Sequence, residues 1–164
     1  MDITRAIPKD AVEIGALLVE AWRYAYKDIM PSSVLEELSA ESRSKGWKQH
    51  LESGTEAYVL RNNTKLLGVV SVGGFRGTIK RFSLFSEITA LYVSPGEIGM
   101  GYGSGLLSHA HERISEKNTQ GTVLWVLEKN LHAIDFYKKH GYLYSGESKV
   151  HNTGLVEHLY ENKV

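Results

Sequence analysis

Three observations predict an α+β fold built on a mixed sheet. Residues 87–127 read as a strand, a glycine-dense turn, an amphipathic helix and a second strand. Such a crossover makes its two strands parallel, with a right-handed connection. Residues 57–72 read as an antiparallel hairpin around Asn62-Asn63, and residues 130–162 as a helix followed by a closing strand pair. The element order βααβββαβαββ therefore combines an antiparallel meander with one parallel crossover.

Residues 3–7 alternate as a short strand, closed by Pro8 and Asp10. From Ala11 to Tyr26, Val12, Ile14, Leu17, Leu18, Ala21, Trp22 and Ala25 recur at helical spacing. Pro31 ends that pattern, and Ser32 or Ser33 can cap a second helix carrying Val34, Leu35 and Leu38. Helical character continues to about Leu51, with an interruption expected near Gly46. Ala57–Leu60 and Leu66–Val72 are the hairpin strands, and residues 75–83 form a basic connection with Arg76, Lys80 and Arg81. A strand at 85–93, the glycine turn and a helix from about 103 to 117 follow. Thr122–Leu127 is nearly all apolar, as a strand covered on both faces should be. The helix at Asn130–His140 stops at Gly141, and two strands complete the chain, the last containing Leu155, Leu159 and Tyr160.

The 164 residues are read as one domain, 1–164, with no internal repeat or linker. Lysine plus arginine equals aspartate plus glutamate at 19 each, so no global field favours nucleic acid. The absence of cysteine excludes disulfides, thiolate catalysis and cysteine-ligated metal. His109 and His111 are two apart and point to different helix faces; the other histidines show no ligand spacing, so no metal is expected. No G-x-S-x-G elbow is present. The N-terminus lacks a signal-peptide core and no apolar run approaches a membrane span, which predicts a soluble, cytoplasmic chain with no membrane partner.

The glycine turn is the chemical centre of the sequence. Gly99, Gly101, Gly103 and Gly105 fall at alternate positions after Ser94-Pro95-Gly96, where backbone N–H groups can converge on an anion without side-chain obstruction. The following helix points its positive N-terminus at the same place. No register gives G-x-G-x-x-G, and Tyr102 stands where a P-loop needs lysine.

What remains resembles the GNAT superfamily of N-acetyltransferases. Ile98-Gly99-Met100-Gly101-Tyr102-Gly103, after Leu91-Tyr92-Val93, is similar to that family's Arg/Gln-x-x-Gly-x-Gly/Ala turn. Asn130-Leu131-His132-Ala133-Ile134-Asp135-Phe136-Tyr137, continuing to Gly141-Tyr142, resembles its Asn-x-x-Ala-x-x-Phe-Tyr-x-x-x-Gly-Phe segment. The motifs cover about residues 87–142. One departure is clear: Ile98 and Met100 stand at positions where the family carries basic or polar residues.

The resemblance implies a mostly antiparallel sheet of six to seven strands flanked by about four helices, with a parallel pair splayed at the cofactor cleft. It implies acetyl-CoA as acyl donor, held by Leu91, Val93, Gly99, Met100, Gly101, Gly103, Ser104, Asn130 and Tyr137. Tyr137 would be the general acid; Asn130, Ala133, Ile134 and Tyr137 also share one helix face by spacing. Glu87 would be the general base, on one strand face with Thr89, Leu91 and Val93 if no bulge intervenes. A core aromatic and a solvated carboxylate are the plain alternatives for these two residues. Trp22, Tyr26 and Asp28 are acceptor-binding candidates, with helix packing as the alternative. The implied reaction is direct acetyl transfer to a primary amine of a small molecule or peptide. A CoA-binding regulatory module is the competing reading, favoured by Ile98 and Met100. Homodimers are common among enzymes that resemble this chain.

Overall fold

The computed structural model describes residues 2–163. The strands are β1 (Asp2–Arg5), β2 (Glu56–Asn62), β3 (Lys65–Gly74), β4 (Ser86–Val93), β5 (Gly121–Leu127), β6 (Leu143–Val150) and β7 (Val156–Lys163). They form one sheet in the order β1-β2-β3-β4-β5-β7-β6, antiparallel throughout except between β4 and β5. The helices are α1 (Ala11–Tyr26), α2 (Ser32–Glu36), α3 (Ala40–Glu52), α4 (Tyr102–Ser115) and α5 (Leu131–Lys139). The architecture is the mixed α+β sheet expected, with a parallel pair at its centre.

Each face of the sheet carries its own helices. Leu106, Leu107, Ala110 and Ile114 of α4 and Ile134 of α5 pack on Val70, Val72, Leu124 and Val126. On the other face Ile14, Leu17 and Leu18 of α1 and Leu51 of α3 cover Ala57, Val59 and Val69. At roughly 25 cal/mol per Å² of apolar surface removed from water, these two layers supply the main driving force for folding.

The first helical region differs from expectation. Among the described residues five α-helices stand where about four were predicted, because α2 is a short piece and α3 runs unbroken through Gly46. A helical glycine costs only about 1 kcal/mol relative to alanine. That cost is offset here by Ser39 Oγ, which accepts from the Ser42 N–H at 3.2 Å, and by burial of Leu51 with Trp47 against the α1 layer. The glycine that matters is Gly15 of α1, where α3 comes closest. A Cβ there would overlap Ser44 Oγ and lie 2.6 Å from the Ser44 nitrogen and 2.8 Å from the Ala40 oxygen. Gly15→Ala is expected to cost about 2 kcal/mol net, overpacking outweighing the propensity gain. Thermal unfolding should show this as a fall in Tm of roughly 5 °C, whereas Gly46→Ala, with open space around it, should hold or raise Tm.

The hairpin turns one residue later than the Asn62-Asn63 expected, at Asn63-Thr64, with Asn62 still paired to Lys65 and Asn63 at φ 52°. The connection at 75–83 is not merely a basic surface loop. Phe82 is buried and packs edge-to-face between Phe75 and Phe85, at 5.7 and 5.1 Å. Arg81 donates to the Ser145 carbonyl at 2.6 Å and to Glu147 at 3.1 Å, which fastens this connection to β6.

Two irregularities in β4 build the cleft. Pairing with β5 covers only Ser86↔Thr122 and Glu87↔Val123, after which the two strands diverge. Pairing with β3 shifts between Val72↔Ile88 and Ser71↔Ala90, leaving Thr89 as an extra, bulged residue. Its hydroxyl lies 2.6 Å from Ser71 Oγ. Among the described residues no helix is long and apolar enough to cross a membrane.

Candidate active site

Divergence of β4 and β5 opens a cleft of about 850 Å³ through the middle of the molecule, bounded by α1, α4, α5 and the ends of β6 and β7. It holds most of the site residues expected from the sequence.

The glycine turn closes one end. Gly101 is the residue before α4 and adopts φ +83°, and Gly99 adopts φ +88°, conformations that residues with a Cβ rarely take. This path leaves the N–H groups of Gly99, Gly101, Tyr102, Gly103 and Ser104 donating to no acceptor among the described residues. Ile98 and Met100 differ: their N–H groups donate back to the carbonyls of Pro95 and Glu97 at 3.5 and 3.4 Å. Met100, expected among the cofactor contacts, is placed differently from its glycine neighbours. Its amide is used within the turn, and its side chain, 63% exposed, lies off the cleft wall. Ser104 is fixed by His140, whose Nδ1 donates to the Phe136 carbonyl at 2.8 Å and whose Nε2 is hydrogen-bonded to Ser104 Oγ at 3.0 Å.

The bulge alters the strand wall. After it, Leu91 and Val93 face the α4 layer and line the cleft. Before it, Ile88 faces that layer, so Glu87 lies on the opposite face, the side of Tyr92 and α1. The expected common face of Glu87, Thr89, Leu91 and Val93 is therefore broken, since one extra residue inverts the alternation. Glu87 is 3% exposed yet lines the cleft. Its Oε1 accepts from Arg76 Nη2 at 2.8 Å, and its Oε2 accepts from the Arg76 backbone N–H at 3.0 Å. The solvated-carboxylate alternative is thus excluded, and Arg76 is not a free loop cation.

Asn130 precedes α5 and caps it, Oδ1 accepting from the Ala133 N–H at 3.2 Å. The amide nitrogen and one lone pair of Oδ1 are left for a ligand, and the capping bond was not part of the expectation. Ala133 and Tyr137 line the cleft with it, while Ile134 turns into the core. Tyr137 stacks edge-on against Phe136 and Tyr142, with centroids at 5.2 and 5.7 Å. Burial, reinforced by the nearby Tyr92 and Tyr142 hydroxyls, pushes its phenol well above the ordinary tyrosine range. Its hydroxyl makes no hydrogen bond to another described residue.

On the far side Trp22 and Tyr26 meet edge-to-face at 5.2 Å, and Trp22 Nε1 donates to the Tyr92 hydroxyl at 3.1 Å. Asp28 is exposed at the cleft rim. Sequence reasoning missed Tyr92, Trp125, Lys149, His151 and Glu157, which complete this wall. A tryptophan inside the otherwise aliphatic run 123–127 was the available signal. Among the described residues no cluster of three or more histidine, aspartate or glutamate side chains could hold a metal.

Comparison with known proteins agrees with this geometry. The model of the Acetyltransferase (GNAT) family matches residues 16–142. The chain belongs to that family and is an acyl-CoA-dependent acetyltransferase. A curated relative, the uncharacterized N-acetyltransferase YuaI of Bacillus subtilis (strain 168), is 25% identical over 131 residues, covering 79% of this chain and 73% of that protein. Among solved structures, PaiA N-acetyltransferase from Thermoplasma acidophilum in complex with coenzyme A superposes with a TM-score of 0.78 at 18% identity, covering 99% and 98% of the two chains. Ribosomal-protein-alanine N-acetyltransferase from Brucella melitensis gives 0.76 at 21% identity over 100% of both. YncA from Salmonella typhimurium, with its cofactor acetyl-CoA, gives 0.74 at 20% identity over 99% and 93%.

Proposed function

We propose that this protein transfers the acetyl group of acetyl-CoA to a primary amine by direct attack within a ternary complex. The observation that supports this most is the run of unpaired N–H groups at Gly99 and residues 101–104, at the N-terminus of α4 and at the mouth of the splayed strands. A diphosphate needs converging donors and a positive helix end, and this turn offers both.

In this reading the backbone of Leu91 and Val93 and the amide nitrogen of Asn130 hold the pantetheine arm along β4. Acetyl-CoA supplies an acyl group already activated as a thioester. The acceptor nitrogen forms the new C–N bond as the C–S bond breaks, and the Tyr137 hydroxyl donates a proton to the departing sulfur. The bulge at Thr89 turns the β4 backbone where its amides can face the thioester oxygen. The acceptor must also lose a proton. Glu87, on the acceptor side but already bonded to Arg76, could take it only through water, and we assign it chiefly to holding the 75–83 connection against β4.

Thermal melting and thiol release test the reading together. Acetyl-CoA at a concentration 100-fold above its Kd should stabilise the protein by about 2.7 kcal/mol, raising Tm by several degrees. CoA thiol should appear with at least one primary amine of a panel. Binding with no turnover on any amine would overturn the transferase assignment for this chain.

A further inference from the structure

Lys149 occupies an unusual place. It stands on β6, the outermost strand, directly opposite Glu157 of β7, which in turn is opposite Leu127 of β5. A lysine on an edge strand normally extends into water. Lys149 instead reaches across β7 to β5, where its Nζ sits 4.1 Å from the centroid of the Trp125 ring. The same Nζ lies 3.5 Å from Glu157 Oε2. All three side chains line the cleft.

Two further observations place this arrangement at the acceptor end. Trp22, the other tryptophan on that wall, already carries the Arg43 guanidinium at 4.6 Å, so the Trp125 face is the one that can exchange its cation with the cleft. Tyr26 links the carboxylate to the proposed acid: burial raises its phenol most, and Tyr92, Tyr137 and Glu157 all add to the shift. Glu157 also raises Tyr92, whose shift comes first from burial. The carboxylate and the Tyr137 hydroxyl thus both raise the same phenol.

We propose that Trp125 and Glu157 form an ammonium cage for the acceptor, which Lys149 fills until a cationic primary amine displaces it. This rests on the acetyltransferase reading and deepens it, by naming the charge the acceptor carries when it binds. A ring face and a carboxylate converging on one ammonium are the elements that select a cation over its neutral isostere. Two ammonium groups cannot share the cage, so Lys149 must leave. Its side chain is 48% exposed, so its charge can return to water without a burial penalty. The Glu157 carboxylate would repel an acceptor with a carboxylate beside its amine. The class is therefore primary amines with an apolar or cationic neighbourhood, and free α-amino acids are rejected.

Equilibrium binding to the protein without coenzyme tests this independently of turnover, by tryptophan fluorescence and calorimetry. The probes are phenethylamine, its neutral analogue 2-phenylethanol, and phenylalanine. The amine should bind at least about tenfold more tightly than either of the others. Lys149→Met should tighten amine binding about tenfold and leave the alcohol unchanged, while Glu157→Gln should weaken the amine by a similar factor. Lys149→Met changes an exposed edge-strand residue, so it keeps the test informative if Glu157→Gln misfolds. Equal affinity for amine and alcohol, equal affinity for amine and phenylalanine, or no response to Lys149→Met would each overturn the cage. Amine binding with these responses but no CoA release on any amine would defeat the transferase reading and leave the cage standing. CoA release with an amine KM unmoved by Lys149→Met would do the reverse.

Discussion

Tyr137→Phe is expected to lower kcat about 100-fold while changing the dissociation constant of acetyl-CoA by less than about threefold. Tyr137 lines the cleft and its hydroxyl has no hydrogen-bond partner among the described residues, so removing it leaves no other buried group there unsatisfied. The ring itself packs on Phe136 and Tyr142, and phenylalanine keeps those contacts. What disappears is a donor to a sulfur that gains negative charge as the thioester opens. Hydrogen bonds to charged groups are worth roughly 1.5–3 kcal/mol, equivalent to about 10- to 150-fold in rate when made only in the transition state. The direction of the Tyr137 shift adds a pH signature. A phenol whose pKa is raised holds its proton below its ordinary value of about 10 and beyond, so no alkaline limb from loss of the donor should appear below about pH 10. The rate should instead climb with pH as the acceptor amine loses its proton. Steady-state kinetics from pH 6 to 10 with calorimetric acetyl-CoA binding settles the point; kcat unchanged in the variant would remove Tyr137 from the chemistry.

The parts of this fold legible in the sequence are those whose requirement is local. Gly99 and Gly101 take left-handed backbone conformations, and the residue type records that directly. The crossover from β4 through α4 to β5 was readable because the hydrophobic period changes between strand and helix at the turn. The bulge at Thr89 was not, because nothing within β4 marks it. It exists only in register with β3, and it moves Glu87 away from Leu91 and Val93. Met100 and Asn130 show the same limit at the level of hydrogen bonds. Each is in the expected place, but Met100 N–H and Asn130 Oδ1 are already engaged by their own turn and helix. The cage of Trp125, Glu157 and Lys149 lies furthest from sequence reach, because it depends on β7 inserting between β5 and β6. The order of the final strands is a tertiary choice: β7 sits inside the sheet and buries Leu159 on one face and Tyr160 on the other.

Ile98→Arg should tighten acetyl-CoA binding by about tenfold or more. Ile98 is 39% exposed and lines the cleft beside Gly99, so a guanidinium there projects toward the unpaired amides of the turn. Arginine meets phosphate through two parallel hydrogen bonds, each assisted by charge. One such interaction worth about 1.5–3 kcal/mol corresponds to a 10- to 150-fold change in Kd. Glu97 competes for the new side chain. It also lines the cleft, and its Oε1 accepts from Lys65 at 3.3 Å. If Glu97 captures the arginine, the gain in Ile98→Arg will be small and will emerge when Glu97→Gln is added. Calorimetry should show the tightening with acetyl-CoA but not with acetyl-pantetheine, which lacks the diphosphate, and the effect should shrink as salt is raised. Because the contact is made equally before and during acetyl transfer, KM for acetyl-CoA should fall with kcat unchanged. An unchanged Kd in both the single and the double variant would mean that the backbone amides of Gly99 and residues 101–104 already saturate the diphosphate oxygens. The family's cationic position would then be dispensable in this chain.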